Sequence, residues 1–322
     1  MSSPLAHWWR QLRRALRRPA HAQPPDPGPL AGVVAVHPLT RYPLPKQQTR
    51  RDLAAQDAWF HSHYVIAANM VVGALQAHRL ARDARILDLG CGDGIMALGV
   101  CEAGGRAVVG SDLTDAFQTL PGRVAQALGP GHPIPPGLRF SRGSPGEPLP
   151  FPDAHFDAGY SWSVFEHVDG VPVLLAEVMR VLKPGAPFFL QIEPLYFSPH
   201  GSHLRRLVPR PWAHLSMDEA AYLAEAAAAT DHVRAEEKDV LYQLNAFEQV
   251  KRYLIGEYHS LNRITAARLV AYTQEAGLHI ERCELGQVPV SSVPAPLQER
   301  FPLHDLRTQE IRLLLRKPSP RA

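Results

Sequence analysis

Residues 86–94 read ILDLGCGDG. Four apolar or strand-compatible residues run straight into three glycines spaced by single residues. Such a stretch is a buried strand that ends in a tight turn. In doubly wound α/β sheets, turns of this kind lie at the carboxyl ends of the strands, where ligands bind. Glycine there lets the chain turn sharply and lets a ligand approach the backbone. A dinucleotide site wants GxGxxG, with free backbone amides facing a pyrophosphate. Here the third position of that pattern is Ile95, and the spacing is GxGxG. Asp88 sits inside the strand end, where a carboxylate repels a pyrophosphate and suits a cationic amino group.

The pattern around this turn predicts an alternating chain. Residues 52–80 carry apolar positions three and four apart, without proline, which predicts a helix. Strands are expected at 85–89, 106–112, 138–142, 155–162 and 187–193. Helices are expected at 94–104 and 171–182, with one between the second and third of these strands interrupted near Pro121 and Gly122. Alternation of this kind implies a mostly parallel sheet with helices on both faces. After Glu193 the rhythm breaks. Helices are expected at 216–229, with Ser216 and Glu219 in capping-box spacing, and at 245–261. It resumes with a helix at 265–278 ending at Gly277, then strands at 279–286 and 310–317 that pair as an antiparallel edge. The division is a basic arm and proline-rich linker (1–50), a core (51–193), a helical lid insertion (194–262) and the C-terminal part of the core (263–322). The expected fold class is α/β, with a doubly wound, seven-stranded, mostly parallel Rossmann-like sheet.

Composition excludes several classes. The formal net charge of +3 over 322 residues is too small and dispersed for a nucleic-acid surface. Cys91, Cys101 and Cys283 are odd in number and form no CxxC, so neither a disulfide framework nor a zinc knuckle is expected. No apolar run has the length of a membrane span. A cytoplasmic location is expected. Residues 5–18, LAHWWRQLRRALRR, hold five arginines and no acid, with Leu5, Trp8, Trp9, Leu12 and Leu16 at roughly helical spacing. The segment could lie on an anionic membrane surface, at the inner face of the membrane, or dock its tryptophans on its own domain.

Four segments in order carry a resemblance. ILDLGCGDG (86–94), VVGSDLT (108–114), PFPDAHFDAGYSWSVFEHV (150–168) and EVMRVLKPGAPFFLQIE (177–193) resemble the successive motifs of class I S-adenosylmethionine-dependent methyltransferases of the small-molecule type. The resemblance covers about residues 84–193. It implies that Asp88 and the backbone of Gly90, Cys91, Gly92 and Gly94 hold the methionine end of S-adenosylmethionine. Asp112 would hold the ribose hydroxyls, and Leu113 would pack near the adenine. The family's usual acid for the adenine amino group is missing. Ser144 and Pro145 stand near that position, and Ser144, Glu147 or a backbone carbonyl could substitute.

Methyl transfer is an in-line displacement, so alignment and exclusion of water are the main tasks. An oxygen nucleophile also needs a base. His167 after the fourth strand of the resemblance, Glu193 at the end of the fifth, and His200 and His203 just beyond are the candidates. Glu193 is expected to be buried, contacting substrate or anchoring an arginine such as Arg205. No third ligand lies near His200 and His203 in sequence, so no metal site is expected. The insertion and the helix at 52–80 would roof a pocket with Trp59, Phe60, His63, Tyr64, Tyr242, Phe247, Tyr253 and Tyr258. The acceptor expected is a small molecule, lipid- or sugar-like, methylated at oxygen; the oligomeric state is open. The alternative is a membrane-peripheral or partner-binding protein with this fold and little or no turnover.

Overall fold

The computed structural model describes residues 25–42, 58–230 and 247–320. The basic segment 5–18 and Tyr242 lie outside them. One sheet organises the chain. Its strands are β1 (Val36–Pro38), β2 (Arg85–Leu89), β3 (Ala107–Asp112), β4 (Leu138–Arg142), β5 (Ala158–Trp162), β6 (Pro187–Ile192), β7 (His279–Gln287) and β8 (Thr308–Arg316), in the order β1-β7-β8-β6-β5-β2-β3-β4. Every neighbouring pair is parallel except those of β8, which runs antiparallel to β6 and β7.

Two expectations are corrected here. The sheet has eight strands, not seven. Residues 36–38, read as linker, add β1 beside β7, held by Thr40 N–H donating to Glu284 Oε2 at 2.9 Å and Arg312 Nη1 donating to the Thr40 carbonyl at 3.0 Å. The β7–β8 pair is therefore interior, with β8 between β7 and β6.

Helices cover both faces. Against one lie α1 (Ala68–Leu75), α2 (Ile95–Gly104) and α3 (Leu120–Leu128); against the other α4 (Val171–Val181) and, as defined further on, a partner from the C-terminal part. Before α1 the chain is π-helical over Ser62–Ala67. Pro121 does not interrupt a helix. It sits in the first turn of α3, where its missing N–H costs nothing. β6 is buried at all six positions, as expected of a central strand covered on both sides.

Beyond β6 a third apolar cluster forms. It contains Tyr196, Leu204, Trp212, Tyr222 and Tyr258, joined by Val293, Leu297 and Leu306 from the segment between β7 and β8. Its helices include α5 (Glu219–Ala228) and α6 (Phe247–Ser260). The cap of α5 is not Ser216, whose hydroxyl donates back to the Trp212 carbonyl at 3.0 Å. Asp218 is the cap, accepting from the amides of Ala220 and Ala221. The chain then returns through α7 (Ala266–Glu275), capped by Thr265 and packed on α4. No described helix is long and apolar enough to cross a membrane.

Candidate active site

β2 has β3 on one side and β5 on the other. The chain runs outward from β2 through β3 to β4, then crosses back to β5. The strand order therefore reverses at the carboxyl end of β2, which is where the glycine turn lies. Gly90 (φ 81°) and Gly92 (φ 51°) both occupy the left-handed region. A Cβ on Gly90 would stand 2.2 Å from Val164 Cγ2, so the loop after β5 packs directly on the turn. A Cβ on Gly92 would meet nothing within 4 Å.

Five amides at this turn are already engaged. Gly90 and Cys91 donate to the Ser111 carbonyl at 2.8 and 3.2 Å, and Gly92 donates to Asp112 Oδ2 at 2.9 Å. Gly94 donates to the Cys91 carbonyl at 2.9 Å, and Ile95 to Asp93 Oδ1 at 3.1 Å. A pyrophosphate cradle needs such amides free; here they tie the turn to the end of β3. The Cys91 side chain packs beneath the turn against Gly110, where burial pushes its thiol pKa far up.

Three carboxylates surround the turn. Asp112 is half-buried, and its Oδ1 accepts from Thr114 N–H and Oγ1, both at 2.8 Å. A carboxylate oxygen has two acceptor positions, so Asp112 Oδ1 is filled by Thr114, while Oδ2, with one bond from Gly92, keeps one open. Asp93 Oδ2 accepts from Trp59 Nε1 at 3.0 Å, which brings the N-terminal helical segment over the turn. Asp88 is 2 % exposed and shares the sheet face of Ile86 and Tyr160. Its Oδ2 is sealed from water and has no hydrogen-bond partner among the described residues. Burial pushes its pKa up to about 7, with Asp112 and Asp93 adding to the rise. The Tyr160 hydroxyl lies close enough to offset part of it, though outside hydrogen-bond geometry. Asp88 thus acts from beneath the turn, not as an exposed acceptor upon it.

Leu113, beside Asp112, is 53 % exposed, and its Cδ2 approaches Gly143. Ser144 is exposed in the loop after β4. Across the turn, α6 contributes Tyr253. Its side chain has 53 % of its surface in water, yet burial raises its phenol to about 12, with Glu257, Asp93 and Asp112 adding. Surface open to water within a dense protein surround describes a side chain that lines a cleft.

The expected catalytic residues separate into two sets. His167 and His203 meet, their rings perpendicular with centroids 5.2 Å apart. His167 Nδ1 lies 2.6 Å from Ser260 Oγ, and its Nε2 lies 3.5 Å from Glu257 Oε2. Ser260 spends its own proton on the Glu257 carbonyl at 2.8 Å, so His167 donates from Nδ1. Burial and then His203 lower the His167 pKa to about 4; that imidazole is neutral despite the nearby carboxylate. Burial holds His203 below its ordinary value as well, and brings His200 to about 4 with Arg205 adding. The His200 carbonyl accepts from the His203 amide at 3.1 Å, and the neighbouring ring of His214 bonds the Tyr196 carbonyl at 2.7 Å. Glu193 is corrected: its side chain is exposed, with Oε1 accepting from Gln309 Nε2 at 3.0 Å. The strand ends before it and turns it to the surface.

Several site residues escaped the sequence reading. Glu166, adjacent to His167, is buried, and neither carboxyl oxygen has a hydrogen-bond partner among the described residues. Burial pushes its pKa up to about 8, and Glu257 adds to this, while contact with its own amide, short of hydrogen-bond geometry, works the other way. Asn262 clamps this loop. Its Nδ2 donates to the carbonyls of Phe165 and Val168 at 2.7 and 2.8 Å, and its amide to the Glu166 carbonyl at 2.8 Å. Glu166 had one sequence signal, its place just after a strand end beside a histidine. Asn262 had none.

Residues 87–190 match the family model described as a methyltransferase domain. Over 104 residues the chain is 36 % identical to 2-phytyl-1,4-naphtoquinone methyltransferase of Synechococcus elongatus, covering 32 % of this chain and 42 % of that one. It is 32 % identical over 149 residues to a probable S-adenosylmethionine-dependent methyltransferase of Mycolicibacterium smegmatis, covering 46 % and 50 %. It is also 32 % identical over 104 residues to a sterol 24-C-methyltransferase of Gibberella zeae, covering 32 % and 26 %. The matched part spans half or less of each relative's own length.

Proposed function

We propose that residues 87–190, which match a methyltransferase-domain model, form a class I S-adenosylmethionine-dependent methyltransferase core, and that the chain transfers the methyl group of S-adenosylmethionine to a small-molecule acceptor. One observation carries the reading of the site. The turn at the switch point has spent five of its amides on the protein and is flanked by Asp88, Asp93 and Asp112. That arrangement disfavours a polyphosphate and favours a cation. S-adenosylmethionine carries a sulfonium and an ammonium.

The residues fit the group. Asp112 Oδ2 keeps an acceptor position for a ribose hydroxyl. Open space at Gly92 admits a ligand against the backbone, and exposed Leu113 offers an apolar surface to the adenine ring. Asp88 supplies negative potential from below. When bound, S-adenosylmethionine provides an electrophilic methyl on a positively charged sulfur. Tyr253 and Trp59 would close the site from two sides and exclude water. Of the histidines, His167 and His203 stand together beside the loop after β5, and burial holds both below their ordinary pKa, so they orient an acceptor hydroxyl by hydrogen bonding rather than hold its proton.

The names of the relatives, a prenylated naphthoquinone enzyme and a sterol enzyme, support a lipid-like acceptor. The aromatic third layer, with Tyr196, Tyr222 and Tyr258, supports an enclosed one. Oxygen is our first choice of nucleophile because imidazoles line the approach. The test is calorimetric titration of the full-length protein with S-adenosylmethionine, followed by incubation with methyl-labelled cofactor and prenylated quinols. One-to-one binding with label in the lipid fraction supports the reading. Absence of cofactor binding at millimolar concentration defeats it.

A further inference from the structure

Glu166, His167 and His203 come from two loops, one after β5 and one after β6. Each offers a ligand atom, and these atoms all lie within 4.8 Å of one another. The sequence reading found no third donor near His203, because Glu166 and His167 are 37 and 36 positions away. Folding supplies what spacing does not.

Three features separate this cluster from a chance grouping. The Glu166 carboxyl is 2 % exposed, and among the described residues neither oxygen has a hydrogen-bond partner. A buried carboxyl without partners costs free energy unless something else meets it. His203 is held at φ 62°, a conformation that a non-glycine residue adopts at a cost. Finally, an outer shell is in place. His167 Nδ1 is fixed by Ser260, which leaves Nε2 for a ligand, and Glu257 stands 3.5 Å from that nitrogen. Bonding of the second imidazole nitrogen is how metal-bound histidines are oriented.

We propose that Glu166, His167 and His203 form a binding site for a first-row divalent cation, of the kind that two imidazoles and a carboxylate select, such as zinc, cobalt or manganese. A tetrahedral ion with bonds of about 2.0–2.2 Å holds its ligand atoms roughly 3.4 Å apart. The cluster reaches that by side-chain torsion of about an ångström, within the zinc-like geometry. Glu257 is placed to become a fourth ligand or an outer-shell acceptor. Three protein ligands leave one position for water or for an oxygen of the acceptor. That last role rests on the methyl-transfer reading; the site itself does not.

The test titrates metal-free, full-length protein with Co2+ in the absence of cofactor and acceptor. We expect one equivalent to bind with a visible ligand-field spectrum of low coordination number, displaced by Zn2+. Glu166→Gln should weaken binding by more than the roughly 10–100-fold that outer-shell changes cost. His203→Asn should do the same, asparagine being chosen because it tolerates the left-handed conformation. His279→Ala, at an exposed histidine on β7, should leave affinity unchanged. X-ray absorption on the zinc-loaded wild type needs no variant and should show two imidazoles. No saturable binding, equal affinity in all variants, or a spectrum without imidazole overturns the site. Because no cofactor is used, such a failure leaves the methyl-transfer reading standing, and the converse holds.

Discussion

Asp112 ties two structures together: its Oδ1 holds Thr114 while its Oδ2 accepts the Gly92 amide and keeps one acceptor position open. Asp112→Ala should weaken S-adenosylmethionine binding by about 1–3 kcal/mol through a lost ribose hydrogen bond. Unchanged affinity by calorimetry would reject the assignment. Asp88 poses the opposite case, a buried acid whose pKa of about 7 lies above the ordinary 3.8. The folded state therefore holds its proton more tightly than the unfolded chain does. Stability from this group is complete below about pH 4 and is lost as pH rises through 7. Asp88→Asn removes that loss. Relative to wild type, the variant should gain on the order of 2 kcal/mol between pH 5 and pH 8 in urea unfolding, while binding the cationic cofactor less well. An equal difference at both pH values would show that Asp88 does not titrate in that window. Asp88 and Asp112 were legible as acids at strand ends beside glycines. Which of them is sealed and which is open was not, because two acids on neighbouring strand ends look alike until the packing of Tyr160 and Cys91 is known.

Elements were read well where local chemistry governs them. β2, β3, α2 and α4 follow from apolar runs and glycine punctuation, and α7 from Thr265 and Gly277. The misreadings have physical causes. Ser216 satisfies the spacing of a cap, but a preceding short helix, Ala213–Ser216, captures it and leaves Asp218 for α5. Asp218→Ala should cost about 1 kcal/mol by chemical denaturation, a loss that Ser216→Ala should not reproduce. The clamp at the end of α6 is a stronger case. Asn262→Ala leaves the Phe165 and Val168 carbonyls without their donor, so it should destabilise by about 1–3 kcal/mol. It should also loosen the loop that carries Glu166 and His167, seen as faster amide exchange there. Protection unchanged from wild type would remove Asn262 as the anchor.

Over the whole molecule, β1 has the least sequence signal and a large positional effect. Three residues of a proline-rich stretch cover the β7 edge and bring Thr40 to Glu284 and Arg312. Deleting residues 1–42 should lower the unfolding temperature and promote self-association, since a bare edge recruits other strands. Monomeric, equally stable protein in light scattering and calorimetry would contradict this. Order along the chain was enough to establish the glycine turn, its acids and the alternating sheet, because strand periodicity and turn chemistry act over a few residues. The eighth strand, the burial of Asp88, the exposure of Glu193 and the meeting of His203 with Glu166 and His167 came only with folding. They depend on contacts between segments tens to hundreds of residues apart, and no local pattern encodes which segments will meet.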